Sequence, residues 1–247
     1  LLVKRERMIE LRWPRLASMA ASWRSILYVG APAAGTNLLM PLAIGALTGL
    51  AASHGTHAVA AYGVGSRLDM LALIGINALS TALTPFVGQN VGAGQCDRVR
   101  EALHFVVKAS LVWGAVVGAL LVLAASPLAG LFNDDATVVT SAALYLRIIP
   151  FSYGLVGIGM LINTMLTALN RPLEASALIA IRLFVLAIPL AFLGSYLYGL
   201  TGMFIGIAAG NALSAPAALL IVRRRLRRVE AQVGQLETPP ISVAPAA

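Results

Sequence analysis

The stretch YGVGSRLDMLALIGINALSTALTPFVGQNVGAG, residues 62–94, decides how the rest of the chain is read. Its first part is apolar enough for lipid, yet Arg67 and Asp69 stand near its start. A charge near the middle of a bilayer costs roughly 2.5–3.5 kcal/mol on insertion scales, so two of them demand partners or a task. Its far end carries Pro85 and the run Gly88-Gln89-Asn90-Val91-Gly92-Ala93-Gly94, then leaves into the charged Asp97, Arg98, Arg100 and Glu101.

The chain as a whole is poor in charge: 59% of its 247 residues are hydrophobic and 11% are charged. A soluble domain is about a quarter charged, so the composition specifies an integral membrane protein. Cys96 is the only cysteine, which excludes an internal disulfide and a cysteine-based metal site. The net charge of +8 does not mark a nucleic-acid binder, because the basic residues gather at the ends of apolar segments. The chain starts at Leu1 without a signal-peptide pattern, which reads as part of something longer.

Six apolar stretches approach the roughly 20 residues that a spanning helix needs: 26–52, 59–87, 103–125, 141–169, 175–193 and 200–222. The expected fold is all-α: one lobe of six transmembrane helices at 25–225, after a basic segment at 1–24 and before a disordered tail at 226–247. Connections at one side hold Arg98, Arg100, Arg171 and the run from Arg223 to Arg228; those at 53–57, 126–140 and 194–199 hold no Lys or Arg. The asymmetry places both termini in the cytoplasm and the bundle in the cell (inner) membrane. The arginine run reads as an anchor on anionic lipid.

Small residues recur every fourth position at Gly45/Gly49, Gly114/Gly118 and Gly202/Gly206/Gly210, a spacing that lets membrane helices approach closely. Within the spans, Arg67, Arg147 and Arg182 are the basic residues away from an inner edge, and Asp69 is the acid. Arg67 and Asp69 lie about 200° apart around a helix and do not pair. Two readings stand: a structural ion pair of Asp69 with Arg182 or Arg147, or a proton- or substrate-linked group in a central cavity. Asn37, Asn77 and Asn163 are candidates to line the same cavity or to bond between helices. His54 and His57 lack the carboxylate or cysteine a metal site needs, and phosphate-loop, HExxH and GxSxG signatures are missing, so no enzyme or metal site is expected.

Three further patterns carry a resemblance. Gly30-Ala31-Pro32 opens the first span, Ala61-Tyr62-Gly63-Val64-Gly65-Ser66-Arg67 opens the second, and Thr84-Pro85-Phe86-Val87 leads into Gly88, Gln89, Asn90, Gly92 and Gly94. Together with Asn170-Arg171-Pro172, they resemble the multidrug and toxic compound extrusion (MATE) transporters over residues 25–225. The resemblance implies the second of two six-helix lobes related by a pseudo-twofold axis, with an amino-terminal lobe as missing partner. It implies export of small amphipathic compounds coupled to a proton or sodium ion, with no other cofactor. One branch of the family keeps an acid in its seventh helix where Met40 stands, and an aspartate in its tenth, where 141–169 has none. Coupling is therefore expected mainly in the other lobe. A lipid-linked precursor flippase of the same superfamily, favoured by Arg67, Arg147 and Arg182, and a non-transporting fragment are the alternatives.

Overall fold

The computed structural model describes the backbone of residues 16–237; side chains of several residues in 16–36 and of all in 229–237 lie outside the described set. The expectations for residues 1–15 and 238–247, and for the surroundings of Gly30 and Pro32, therefore fall outside it. Among the described residues every regular element is helical: α1 (Leu16–Ala52), α2 (Thr56–Ala72), α3 (Ile74–Gly92), α4 (Cys96–Leu123), α5 (Ala125–Gly130), α6 (Ala136–Ile148), α7 (Tyr153–Ala168), α8 (Pro172–Ala180) and α9 (Ile188–Glu237). Helices satisfy their own backbone, which is the solution that hydrocarbon permits for an open chain. Two apolar cores fill the bundle. One joins Tyr62, Leu68, Tyr145, Tyr153 and Phe204; the other joins Val87, Val99, Leu161, Met165 and Val222.

Three helical runs are long and apolar enough to cross a membrane among the described residues, and four when the bent pair α2–α3 is one span. The six expected stretches do not each form a separate straight helix: the apolar part of the first is described as Asn37–Ala52, and the fifth and sixth are the two arms of one run, Pro172–Arg228. That run bends back at Tyr198 and Gly199, where the backbone leaves helical geometry and Gly199 takes φ 59°. A Cβ on Gly202 would lie 1.9 Å from the Gly194 carbonyl oxygen, one on Gly206 2.1 Å from that of Leu190, and one on Gly210 2.4 Å from the Ala187 Cα. The glycine triple is thus the seam of an antiparallel hairpin. α9 then continues through the arginine run to Glu237, past the expected boundary at residue 225.

The other glycine pairs divide. A Cβ on Gly114 would meet the Gly154 nitrogen at 2.2 Å and one on Gly118 the Pro150 carbonyl at 3.1 Å, so α4 crosses α7 in backbone contact. A Cβ on Gly45 or Gly49 would meet nothing within 4 Å among the described residues, so the expected close helix contact is not made there.

The second expected span is broken. α2 and α3 meet at Leu73 with a bend of 43°. The Trp113 indole N–H of α4 donates to the Ala72 carbonyl at 2.8 Å, supplying a partner at the break. Gly75 leaves room for that indole, since a Cβ there would lie 2.5 Å from the ring. A side chain inserted at the ladder is a recognised cause of a kink. The fourth span is also interrupted: a tight 3₁₀ turn, Ile149–Ser152 with Pro150, separates α6 from α7. In the fifth span, α8 widens into a π-helical segment, Ile181–Ala187, before α9.

Candidate functional site

Asp69 sits four residues before the break in α2, and its backbone carbonyl accepts the Leu73 N–H at 3.0 Å. Its side chain points at α6 and α7. The Tyr145 hydroxyl donates to Oδ2 at 2.6 Å, and the Tyr153 hydroxyl donates to Oδ1. Tyr145 reaches this position because Gly65, one turn earlier on α2, has no side chain: a Cβ would stand 2.4 Å from its ring. Tyr62 and Phe204 brace the same ring edge-on, with centroids 6.0 Å and 5.0 Å away. Both tyrosines are buried, whereas Asp69 is half-buried. Aromatic rings with a polar tip suit this place, apolar in the body and hydrogen-bonding at the end.

This geometry replaces the expected ion pair. Arg147 is exposed and donates to the Ser126 hydroxyl at 3.1 Å. Arg182 is half-buried within the π-helical segment and has no hydrogen-bond or ion-pair partner among the described residues. Two hydroxyl dipoles, not a guanidinium, satisfy the carboxylate. The physical reason for the misreading is that charge-assisted bonds from neutral donors also offset desolvation, and a search confined to opposite charges misses them. Arg67 is exposed, turned away from Asp69 as their spacing requires.

The amides do not join this cluster. Asn37 and Asn77 are exposed, and the Oδ1 of half-buried Asn163, with the Ser110 hydroxyl, finds no partner among the described residues. Asn163 lies ten residues beyond Tyr153, about 15 Å along α7. Tyr145 and Tyr153 were the residues that sequence reasoning passed over. The usable signal was the demand of an acid within a span for donors, which tyrosines flanking Pro150 could meet.

The glycine-rich run closes locally. Asn90 is buried and its Nδ2 donates to the Phe86 carbonyl at 2.8 Å, while its own carbonyl accepts the Gln95 N–H at 2.8 Å. Gly94 takes φ 73°, a left-handed conformation suited to glycine, and turns the chain into α4. Pro85, Gly88, Gln89 and Gly92 are exposed, and a Cβ on Gly88 or Gly92 would touch nothing within 4 Å. At the opposite end, the His54 ring pairs with the Ser195 hydroxyl at 2.7 Å. No group of three His, Cys, Asp or Glu is placed to hold a metal among the described residues.

A bundle of apolar helices, broken where polar groups meet, defines a multi-pass membrane protein. Residues 32–193 match the MatE family model, and the chain belongs to the MATE transporter family. It is 36% identical to the FAD transporter of Shewanella oneidensis over 231 residues, 94% of this chain and 51% of that protein. Its identity to the multidrug export protein MepA of Staphylococcus saprophyticus is 30%, covering 80% and 43%. The crystal structure of the Vibrio cholerae MATE transporter VcmN in the bent form superposes with a TM-score of 0.82 at 31% identity, over 93% of this chain and 52% of that one. The chain thus spans about half the length of these relatives.

Proposed function

We propose that this chain is the second lobe of an exporter in the cell (inner) membrane, working with another six-helix lobe to move amphipathic compounds outward in exchange for a proton or sodium ion. The basic end, with Arg98, Arg171 and Arg223, faces the cytoplasm in this reading. The observation that carries it is Asp69: a carboxylate inside the bundle of a MATE chain, held by two hydroxyls and by no cation among the described residues. An incoming cation there meets no competing positive partner. Support for a partner lobe comes from α1, whose Asn37, Met40 and Leu42 are exposed beside the open Gly45 and Gly49. The test is export of a cationic dye from cells making the full reading frame with its other lobe. Asp69→Asn should lower export far more than it lowers the amount of protein in the membrane. An equal fall of both would reduce Asp69 to a structural role.

One observation favours a second reading of the cargo. Arg182 is a cation within its span without a hydrogen-bond or ion-pair partner among the described residues, and a relative at 36% identity is named for a phosphate-bearing cargo, FAD. Export of an anionic nucleotide-like compound would then be lost in Arg182→Gln while dye export persisted, measured as flavin released to the medium. If lipid-linked precursors accumulated on deletion instead, with both exports unchanged, the flippase alternative would hold.

A further inference from the structure

A groove of about 300 Å³ opens between α8 and the stretch of α9 from Ile221 to Arg228, at the basic end of the bundle. Its lining is apolar toward one end, with Leu178, Ile181 and Ile221, and charged toward the other, with Arg224, Arg225, Arg228 and Glu174. The two walls run antiparallel. From Glu174 to Ile181 the α8 wall descends seven residues, about 10 Å at helical rise, and Ile221 to Arg228 climbs the same distance on the other side. Charge therefore collects at one level and hydrocarbon at the other.

The charges have different fates. Arg225 grips Glu174 with two contacts, Nε to Oε2 and Nη2 to Oε1, both at 2.6 Å. This forked pair ties the first turn of α8 to α9 and fixes the width of the groove. Arg224 and Arg228, one turn apart on the same face, are exposed and have no partner among the described residues. With one glutamate against three arginines, the lining keeps a surplus of two positive charges.

We infer that this groove is a binding site for an anionic phospholipid, its phosphodiester held by Arg224 and Arg228 and an acyl chain laid along Leu178, Ile181 and Ile221. A groove cationic at one end and apolar at the other, at a membrane edge, matches the two-part chemistry of that ligand, and basic pockets between spanning helices are where anionic headgroups lodge. A nucleic-acid phosphate would leave the apolar end unused. The site stands independently of what the transporter carries, and it gives the arginine run a defined contact in place of diffuse attraction.

The experiment uses the detergent-purified full-length transporter, stripped of lipid and titrated with phosphatidylglycerol, phosphatidylcholine or glycerol 3-phosphate, with bound lipid counted by native mass spectrometry. Phosphatidylglycerol should bind and the other two should not. The double variant Arg224→Gln/Arg228→Gln should bind phosphatidylglycerol on the order of tenfold more weakly, the scale of losing two surface charges against an anionic headgroup. Arg223→Gln/Arg227→Gln removes the same charge from neighbouring faces of the same helix and should bind like the unmodified protein. Equal losses in both doubles would overturn the site in favour of a diffuse basic edge. Binding of glycerol 3-phosphate as tight as that of the lipid would overturn it in favour of a simple anion site.

Discussion

The two ends of residues 62–94 are held by opposite means. At Asp69 the partners are hydroxyls 76 and 84 residues away in sequence, brought in by α6 and α7. At the glycine-rich end the bonds close within five residues, from Asn90 to Phe86 and from Gln95 to Asn90. The first end depends on the whole lobe being assembled; the second forms wherever its own few residues are helical and then turn. A local turn is specified by its own few residues and can be read from them, whereas a long-range cluster says more about how one lobe works.

The sharpest way to break that contrast is to put side chains on one glycine from each end. Gly65→Val drives a branched side chain into the Tyr145 ring and its anchored hydroxyl. Overpacking typically costs about 1–3 kcal/mol, and here it also unseats a donor to Asp69. The expected outcome is a clear fall in melting temperature in detergent, together with loss of transport. Gly88→Ala meets nothing within 4 Å. It should leave the melting temperature unchanged or raise it slightly, because alanine is the better helix former.

Removing one hydroxyl at a time comes next. Tyr145→Phe and Tyr153→Phe each keep the ring but leave the carboxylate with one hydroxyl donor. Hydrogen bonds to charged groups contribute about 1.5–3 kcal/mol. Each variant should lose stability in that range, and the loss should shrink when Asp69→Asn is already present, since the charge that made the bond strong is gone. Additive losses across this double-mutant cycle would mean that the tyrosines pack the core and do not serve Asp69.

At the other end the equivalent probe is Gly94→Ala. The residue sits at φ 73°, where a Cβ is unfavourable by about 1 kcal/mol. Stability should fall by that amount with transport retained, which would keep the turn structural and the Asp69 cluster functional.

How much of this was legible follows from the same division. Membrane class, helical fold and the seam at Gly202, Gly206 and Gly210 could be read, because composition and four-residue spacing are properties of short segments. The break at Leu73 could not: its partner Trp113 lies 41 residues from the carbonyl it serves. Gly45 and Gly49 share the spacing of true contact pairs, yet a Cβ on either would meet nothing within 4 Å among the described residues, because spacing records that a helix face is small and not what lies against it. Asp69 reads from the sequence as a charge within a span that needs a partner. Its donors, the hydroxyls of Tyr145 and Tyr153, are not legible because an ion-pair search weighs arginines and passes over neutral donors on distant helices.

The smallest expected effect lies outside the membrane, at the start of α6, and tests whether local capping behaves as the local turn does. Asp135 Oδ1 accepts the Thr137 N–H at 2.7 Å and the Val138 N–H at 3.4 Å. These bonds to the charged form hold its carboxyl below the ordinary carboxylate range, the Thr137 contact most of all. A carboxyl lowered in the folded state adds stability that is complete above its unfolded pKa and disappears as pH falls through its folded one. Asp135→Asn keeps a capping acceptor but removes the titration. Melting temperatures of the two proteins, compared from neutral pH downward, should therefore converge in the acid range below the ordinary carboxylate pKa. Because the site is fully exposed, added salt should narrow the gap at neutral pH as well; a gap indifferent to both acid and salt would mean that α6 starts without help from the charge of Asp135.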